Sequence, residues 1–369
     1  MSEKCVVKKV AIMASAITPI GSPSLGGMNQ VLIDLCLSLV CLGYTISIYC
    51  SKHSSRLFLD ADYYECEGLF QGLAQVENNG HTKDLLNNMW SLWEKNQDDY
   101  VLTINLSYDL LPLQKTKSSN KVILNYISMC HLYDDFTYTL KDCLKSKPWS
   151  CCFTNQYQFD TFLIKDFEPI VLMAPIMVPD HCISTGERKD LLWIGRISPE
   201  KGLSYAFAIS KAANRRLLIA GHVQDMHYWN SLKKSIKGQA YKLLGQLEKK
   251  DLNQQLQSVE ALVITPLWNE ALGLTVLEAL AHQTPVIGFD SPGPRWIIER
   301  TGGGELVESK NVILASLAFD RIKNFDMRST QAYIKTHFSF EKFVFRLNQW
   351  ITKALIANQS IYSGSQSVL

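Results

Sequence analysis

A short apolar strand that stops at a proline and gives way within a few residues to a helix fixes the middle of this chain. Residues 266–285 read PLWNEALGLTVLEALAHQTP, and the run ALVIT at 261–265 precedes them. Pro266 ends the strand, and good helix formers follow from about Gly273 through Leu280. The connection is therefore a strand-to-helix loop. Such a loop aims free backbone N–H groups, with the positive end of the helix dipole behind them, at whatever lies beyond the strand's C-terminal end. Glu270 stands in the loop, and Glu278 follows about two helical turns later. Carboxylates do not ligate phosphate, but they accept charge-assisted hydrogen bonds from sugar hydroxyls, so the stretch points to a ligand carrying both groups. Two glutamates eight apart would equally suit a solvated helix face.

The rest of the chain alternates in the same way. Residues 6–14 read as a buried parallel-type strand, the loop TPIGSPSLGG (18–27) follows, and a helical pattern covers about 28–42. Gly21, Gly26 and Gly27 in that loop let a ligand approach the backbone, although the GxGxxG spacing is absent. Further strands are expected at 44–50, 100–105, 121–129, 150–155 and 170–173, with a helix at 82–95 and no clear period over 51–79. His131 directly follows one of these strands, which places it at a C-terminal sheet edge, where open α/β sheets bind ligands. The polar stretch VPDHCISTGERK (178–189) reads as a linker. A second series then begins: strands at 190–194, 216–220, 241–244, 261–265 and 285–289, helices at about 203–214, 229–236, 251–257, 273–280 and from 295, and a glycine turn at 302–304. Strands alternating with helices imply parallel doubly wound sheets. The expectation is two Rossmann-like α/β domains facing each other across a cleft, 1–180 and 181–338, then a helix at about 340–357 and a disordered Ser-rich tail, 358–369.

At 369 residues the chain suits two domains. A net charge of +2 offers no field for nucleic acid or an anionic membrane surface, and no apolar run approaches the roughly 20 residues of a membrane span. The N-terminus lacks a signal-peptide pattern, so a cytoplasmic protein is expected. The ten cysteines contain no CxxC pair. Most, Cys36, Cys41, Cys50 and Cys130 among them, sit in apolar segments as small hydrophobes do, and no zinc site is expected at Cys151 and Cys152. Asp60 and Asp62 form a DxD pair, which we read as surface acids.

The strand at 191–194 ends in GRISPEKG, so Arg196 and Lys201 fall in a loop at its C-terminal end, between Gly195 and Gly202. Two cations there suit a diphosphate, or a solvated loop; together with the central stretch they suit the diphosphate better, because both lie at strand ends of one sheet. LLWIGRISPEKG, LLIAGH and LWNEALGLTVLEALAHQTPVIGFDSPGP together resemble the C-terminal half of family 4 glycosyltransferases, which have the GT-B fold. The segment at 18–49 is similar to that family's first strand, glycine loop and helix.

The resemblance implies that Arg196 and Lys201 hold a donor's diphosphate, that Glu278 binds ribose hydroxyls, and that Glu270 lies against the donor sugar. It also implies backbone N–H groups of Gly273 and Leu274 on phosphate, Gly195, Leu244 and Leu272 against the donor, and His131 with Gly27 beside the transferred sugar. The final helix would return to the first domain. The implied reaction is retaining and metal-independent, with no cofactor: a hexose passes from a nucleotide-diphosphate sugar to an acceptor hydroxyl. The chain departs from the family at Leu272, where an aromatic is common, near Arg295 and Trp296, where an acid is usual, and at APIMVP, which lacks a common glycine. The TPxG…GG opening is similar to pteridine glucosyltransferases of the same family, implying UDP-glucose and a reduced pterin. A saccharide or another small acceptor stands beside that reading, as do a nucleotide-sugar binding protein and an epimerase of GT-B architecture. Oligomeric state is not legible.

Overall fold

The computed structural model describes residues 8–21, 26–67, 80–180 and 188–363, the side chains of 80–82, 362 and 363 excepted. The chain divides into two units, Met1–Ala174 with Phe340–Leu369, and Pro175–Ser339.

In the first unit the order is β1 (Lys8–Met13), α1 (Gly27–Cys41), β2 (Tyr44–Ser51), β3 (Asp62–Cys66), α2 (Gly80–Asn96), β4 (Leu102–Asn105), α3 (Leu110–Ser118), β5 (Ile123–Ile127), α4 (Asp134–Ser146), β6 (Cys151–Phe153), α5 (Gln156–Asp160) and β7 (Ile170–Val171). The second runs β8 (Leu191–Ile194), α6 (Leu203–Ala212), β9 (Leu217–Ala220), α7 (Met226–Ser235), β10 (Tyr241–Gly245), α8 (Lys249–Ser258), β11 (Ala261–Ile264), α9 (Leu274–Ala281), β12 (Val286–Phe289), α10 (Pro292–Thr301), β13 (Gly304–Val307), α11 (Val312–Ile322) and α12 (Met327–His337). The last helix, α13 (Phe340–Ser363), groups with the first unit.

Each unit has one parallel sheet. The strand orders are β3-β2-β1-β4-β5-β6-β7 and β10-β9-β8-β11-β12-β13, so both reverse direction beside their first strand. The runs VAIM, ALVI and VIGF are wholly buried because helices cover both faces of a parallel sheet. At each reversal the loops after adjacent strands diverge and leave a crevice at the strands' C-terminal ends. In the second unit those loops follow β8 and β11, which are paired in register through Ala261 with Leu191 and Leu262 with Leu192.

Two of the described bounds differ from those expected. The chain leaves the first unit at Ala174, before the predicted linker. The Ile176 N–H donates to the Phe338 carbonyl at 2.8 Å and Lys335 pairs with Asp180 at 3.1 Å, so this stretch is held by α12 of the second unit. Residues 181–187 of the linker lie outside the described set, as do 22–25 of the glycine loop and 68–79 of the aperiodic region. The tail is helical through Ser363, with the Asn358 amide donating to the Asn120 carbonyl at 3.1 Å; 364–369 are outside the described residues. Cys41 is exposed at the end of α1, whereas Cys36, Cys50, Cys130, Cys151 and Cys152 are buried.

Phe343, Leu347, Trp350, Ile351 and Ala354 form the buried stripe of α13, recurring at helical spacing. The Trp350 indole donates to the Trp149 carbonyl at 2.7 Å, so its removal leaves both a cavity and a buried acceptor without a partner. Trp350→Ala should destabilise the protein by about 3–5 kcal/mol in urea unfolding, and a loss below about 1 kcal/mol would show that α13 is not part of the first unit's core.

Candidate active site

The two loops at the second crevice are pressed together by their backbones. Gly202 has φ +65°, and a Cβ there would meet the Thr265 carbonyl oxygen at 2.0 Å. The Thr265 hydroxyl donates to the Lys201 carbonyl at 3.2 Å and accepts from the Trp193 indole at 3.1 Å; the Leu267 N–H donates to the Glu200 carbonyl at 2.8 Å. A glycine is needed at 202 because only it combines this φ with this approach.

That contact sets Lys201 against the second loop. Lys201 Nζ lies 2.6 Å from Glu270 Oε2 and 4.7 Å from the centroid of the Trp268 ring, and the Trp268 indole donates to the same carboxylate oxygen at 3.2 Å. Glu270 is itself fixed: its N–H donates to the Ser291 hydroxyl at 2.6 Å, that hydroxyl donates to the Trp268 carbonyl at 3.3 Å, and the Gly293 N–H donates to the Glu270 carbonyl at 2.8 Å. Three-quarters or more of each charged side chain is shielded from solvent.

Helix α9 begins beside this pair. Gly273 occupies its N-cap with φ +73° and no side chain caps the helix, so its first N–H groups face the crevice without a side-chain acceptor. A side chain at Gly273 would press on Ile297 and Pro294, and one at Gly293 would strike the Ala271 backbone at 2.7 Å, so α10 backs the loop tightly.

Arg196 lies on a third wall. The Ile197 N–H donates to the His222 carbonyl at 2.9 Å, the N–H groups of Gln224 and Asp225 donate to the Ile197 carbonyl at 3.2 and 3.1 Å, and Gly221 passes where a Cβ would be 1.8 Å from the Gly195 carbonyl. Arg196 Nη1 donates to Gln224 Oε1 at 2.7 Å, and Nη2 lies 3.6 Å from Glu200. Burial first, and Arg196 second, hold the His222 pKa below its ordinary value.

Further along α9, Glu278 pairs with Lys249 at the start of α8. His282 Nδ1 lies 2.7 Å from the Glu278 carbonyl, which makes Nδ1 the protonated nitrogen; its Nε2 is buried without a hydrogen-bond partner. Each of the three cations, Arg196, Lys201 and Lys249, is thus set against one carboxylate of the same unit.

The model of the glycosyl transferases group 1 family matches residues 183–335. The match falls within the second unit. The human alpha-1,3/1,6-mannosyltransferase ALG2 is 27% identical over 201 residues, covering 48% of each chain, and an uncharacterized glycosyltransferase of Methanocaldococcus jannaschii is 29% identical over 174 residues, 46% of this chain and 42% of its own. The chain spans about half the length of the curated relatives it matches. Among solved structures, sucrose-phosphate synthase from Thermosynechococcus elongatus superposes with TM-score 0.74 at 15% identity, covering 95% of this chain and 100% of its own. Anabaena HepE in complex with UDP and glucose gives 0.68 at 12%, covering 94% and 100%. Both units carry the parallel-sheet α/β fold of GT-B glycosyltransferases.

In the second unit the structure joins Lys201 to Glu270 at the start of α9, with Gly273 and Leu274 opening that helix. Arg196 is held by the loop after β9, not by Glu270 or Glu278, and Leu272 is buried under the loop. Leu244 lies half-buried on the edge strand β10. Gly195 abuts the Trp193 ring. His131 and Gly27 belong to the first unit. There His131 Nδ1 lies 2.8 Å from the Thr137 hydroxyl, its N–H donates to the Thr161 hydroxyl at 2.9 Å, and Gly27 is the first residue of α1. Asp62 pairs with Lys9 at 2.8 Å on edge strand β3 of the first unit. Sequence reasoning missed Trp268, Ser291, Gln224 and Lys249. Trp268 stands two residues before Glu270 and was open to inspection; the other three come from separate elements, Gln224 and Ser291 from loops and Lys249 from the start of α8, which no spacing reveals.

Two measurements check this geometry. Gly202→Ala should cost at least about 1–2 kcal/mol in urea unfolding, since it adds left-handed strain to a backbone clash. Burial first, with Lys249 also contributing, lowers the His282 pKa from 6.5 against the opposing hydrogen bond that its Nδ1–H donates to the Glu278 carbonyl. The unfolded chain then binds more protons just below pH 6.5, so stability is full above that value and falls as the pH drops below it. His282→Asn should flatten this acid-side loss in thermal unfolding; an unchanged slope would contradict the assignment.

Proposed function

We propose that the protein transfers a hexose from a nucleotide-diphosphate sugar to a hydroxyl of a saccharide acceptor, with retention of configuration, the second unit binding the donor and the first the acceptor. The observation that carries this reading is the Lys201–Glu270 contact at the uncapped start of α9. A cation, a carboxylate and free N–H groups meet at one sheet reversal, as a ligand with both phosphate and sugar hydroxyls requires.

On this reading the apo site is neutralised internally and the donor exchanges the pairings. The diphosphate takes the N–H groups of Lys201 and Arg196, and the released Glu270 accepts from sugar hydroxyls. Glu278 does the same for ribose. The bond between the anomeric carbon and the departing phosphate oxygen breaks as the acceptor oxygen bonds to that carbon on the same face, and the acceptor proton passes to the phosphate oxygen. Negative charge grows on the diphosphate, where Lys201, Arg196 and the N–H groups of Gly273 and Leu274 meet it without a metal ion.

The name of the human relative, a mannosyltransferase, favours a saccharide acceptor and puts mannose beside glucose as the transferred sugar. The pterin reading rests on the loop at 18–27, of which 22–25 are not described.

Incubating the protein with UDP-glucose and nucleotide-mannose donors and a panel of saccharide and pterin acceptors, followed by mass spectrometry, tests the proposal. A new glycoside is expected; an altered free sugar would mean an epimerase, and an unchanged bound donor a binding protein. Lys201→Ala should lower turnover at least about a hundredfold with the circular dichroism spectrum unchanged, and near-normal rates would reject the role of Lys201.

A further inference from the structure

Arginine recognises a diphosphate well only when its planar fork is aimed, and freezing that side chain on binding costs rotamer entropy. Arg196 is aimed before any ligand arrives. Its Nη1 donates to Gln224 Oε1 at 2.7 Å, and about four-fifths of the side chain is shielded from solvent. The other nearby acceptor, Glu200, stands at 3.6 Å and is occupied by the Ser198 hydroxyl, which donates to it at 2.6 Å.

Gln224 is itself rigidly placed. Its N–H and that of Asp225 share the Ile197 carbonyl, Ile197 and Val223 form an isolated parallel bridge, and the Asp225 carboxylate caps α7 by accepting from the Tyr228 N–H at 2.8 Å. The loop after β9 is therefore fastened on one side to the Arg196 loop and on the other to a helix start. A neutral amide in this place orients the guanidinium without cancelling its charge. A carboxylate there would compete with phosphate.

We propose that Gln224 is a positioning residue: it holds the Arg196 guanidinium in the orientation that receives the donor's diphosphate, and so contributes to phosphate affinity through Arg196 alone. The inference rests on the sugar-transfer reading of the site. It gives the loop after β9 a role in diphosphate binding beside the loops after β8 and β11.

Isothermal titration of inorganic pyrophosphate into the full chain tests it with a probe that needs neither the right base nor the right sugar. Gln224→Met keeps the side-chain length and removes the acceptor; Gln224→Ala serves as a second variant should Met disturb packing. In the wild-type background either change should weaken pyrophosphate binding about five- to thirtyfold, while in the Arg196→Ala background it should change binding less than twofold, because contacting residues that act together are not additive. Equal losses in both backgrounds, or no loss in the first, would overturn the proposal. If Arg196→Ala alone leaves pyrophosphate binding intact, the diphosphate assignment fails; if it weakens binding at least tenfold and the Gln224 variants do not, only this inference fails.

Discussion

The whole arrangement of the second unit's crevice depends on one close approach, that of Gly202 to the Thr265 carbonyl. With a Cβ position only 2.0 Å from that oxygen, the loop after β8 has no clearance from the loop after β11. The two backbones then exchange hydrogen bonds through Thr265, Leu267, Glu200 and Lys201, and the lysine has one place to go. It stands between the Trp268 face and the Glu270 carboxylate, both of which sit on a loop tied down by Ser291 and Gly293. The chemistry of the site follows from that backbone fit.

A second consequence concerns charge. Arg196, Lys201 and Lys249 are each paired with a carboxylate of the same unit, so the ligand-free crevice does not hold bare cations in a partly shielded place, where desolvation would be costly. On the proposed reading a diphosphate displaces these carboxylates, because it offers more charge and more acceptor oxygens. The displaced acids then find partners in the hydroxyls attached to that diphosphate. One set of residues would then serve both pairings, which accounts on that reading for acids and bases alternating around the crevice.

Much of this was legible in the sequence. The apolar runs at 191–194, 261–264 and 286–289 are strands because both faces of a parallel sheet are buried, and the loops that follow them were placed correctly with Arg196, Lys201, Glu270 and Gly273 inside them. Helices α3, α4, α11 and α12 were not read, although Asp109, Asn311 and Asp326 cap three of them with their side chains. Pro112 in the first turn of α3 and the exposed Ile313, Leu314 and Leu317 on α11 blur the usual polar and apolar faces. Strand β3 hid within an aperiodic region, being a half-exposed edge strand. The partners of the predicted residues were mostly beyond reach, since Gln224, Lys249 and Ser291 meet them only through the sheet's topology. The helical residues 358–363 read as tail because their polar composition conceals a helix carried on from the buried stripe of α13.

A crystal structure of the protein with a nucleoside diphosphate tests the central claim most directly. The account predicts the terminal phosphate within hydrogen-bonding distance of Lys201 Nζ, the Arg196 guanidinium and the Gly273 or Leu274 N–H, with the Lys201–Glu270 contact opened. A diphosphate bound away from these groups, with Lys201 still closed on Glu270, would contradict it.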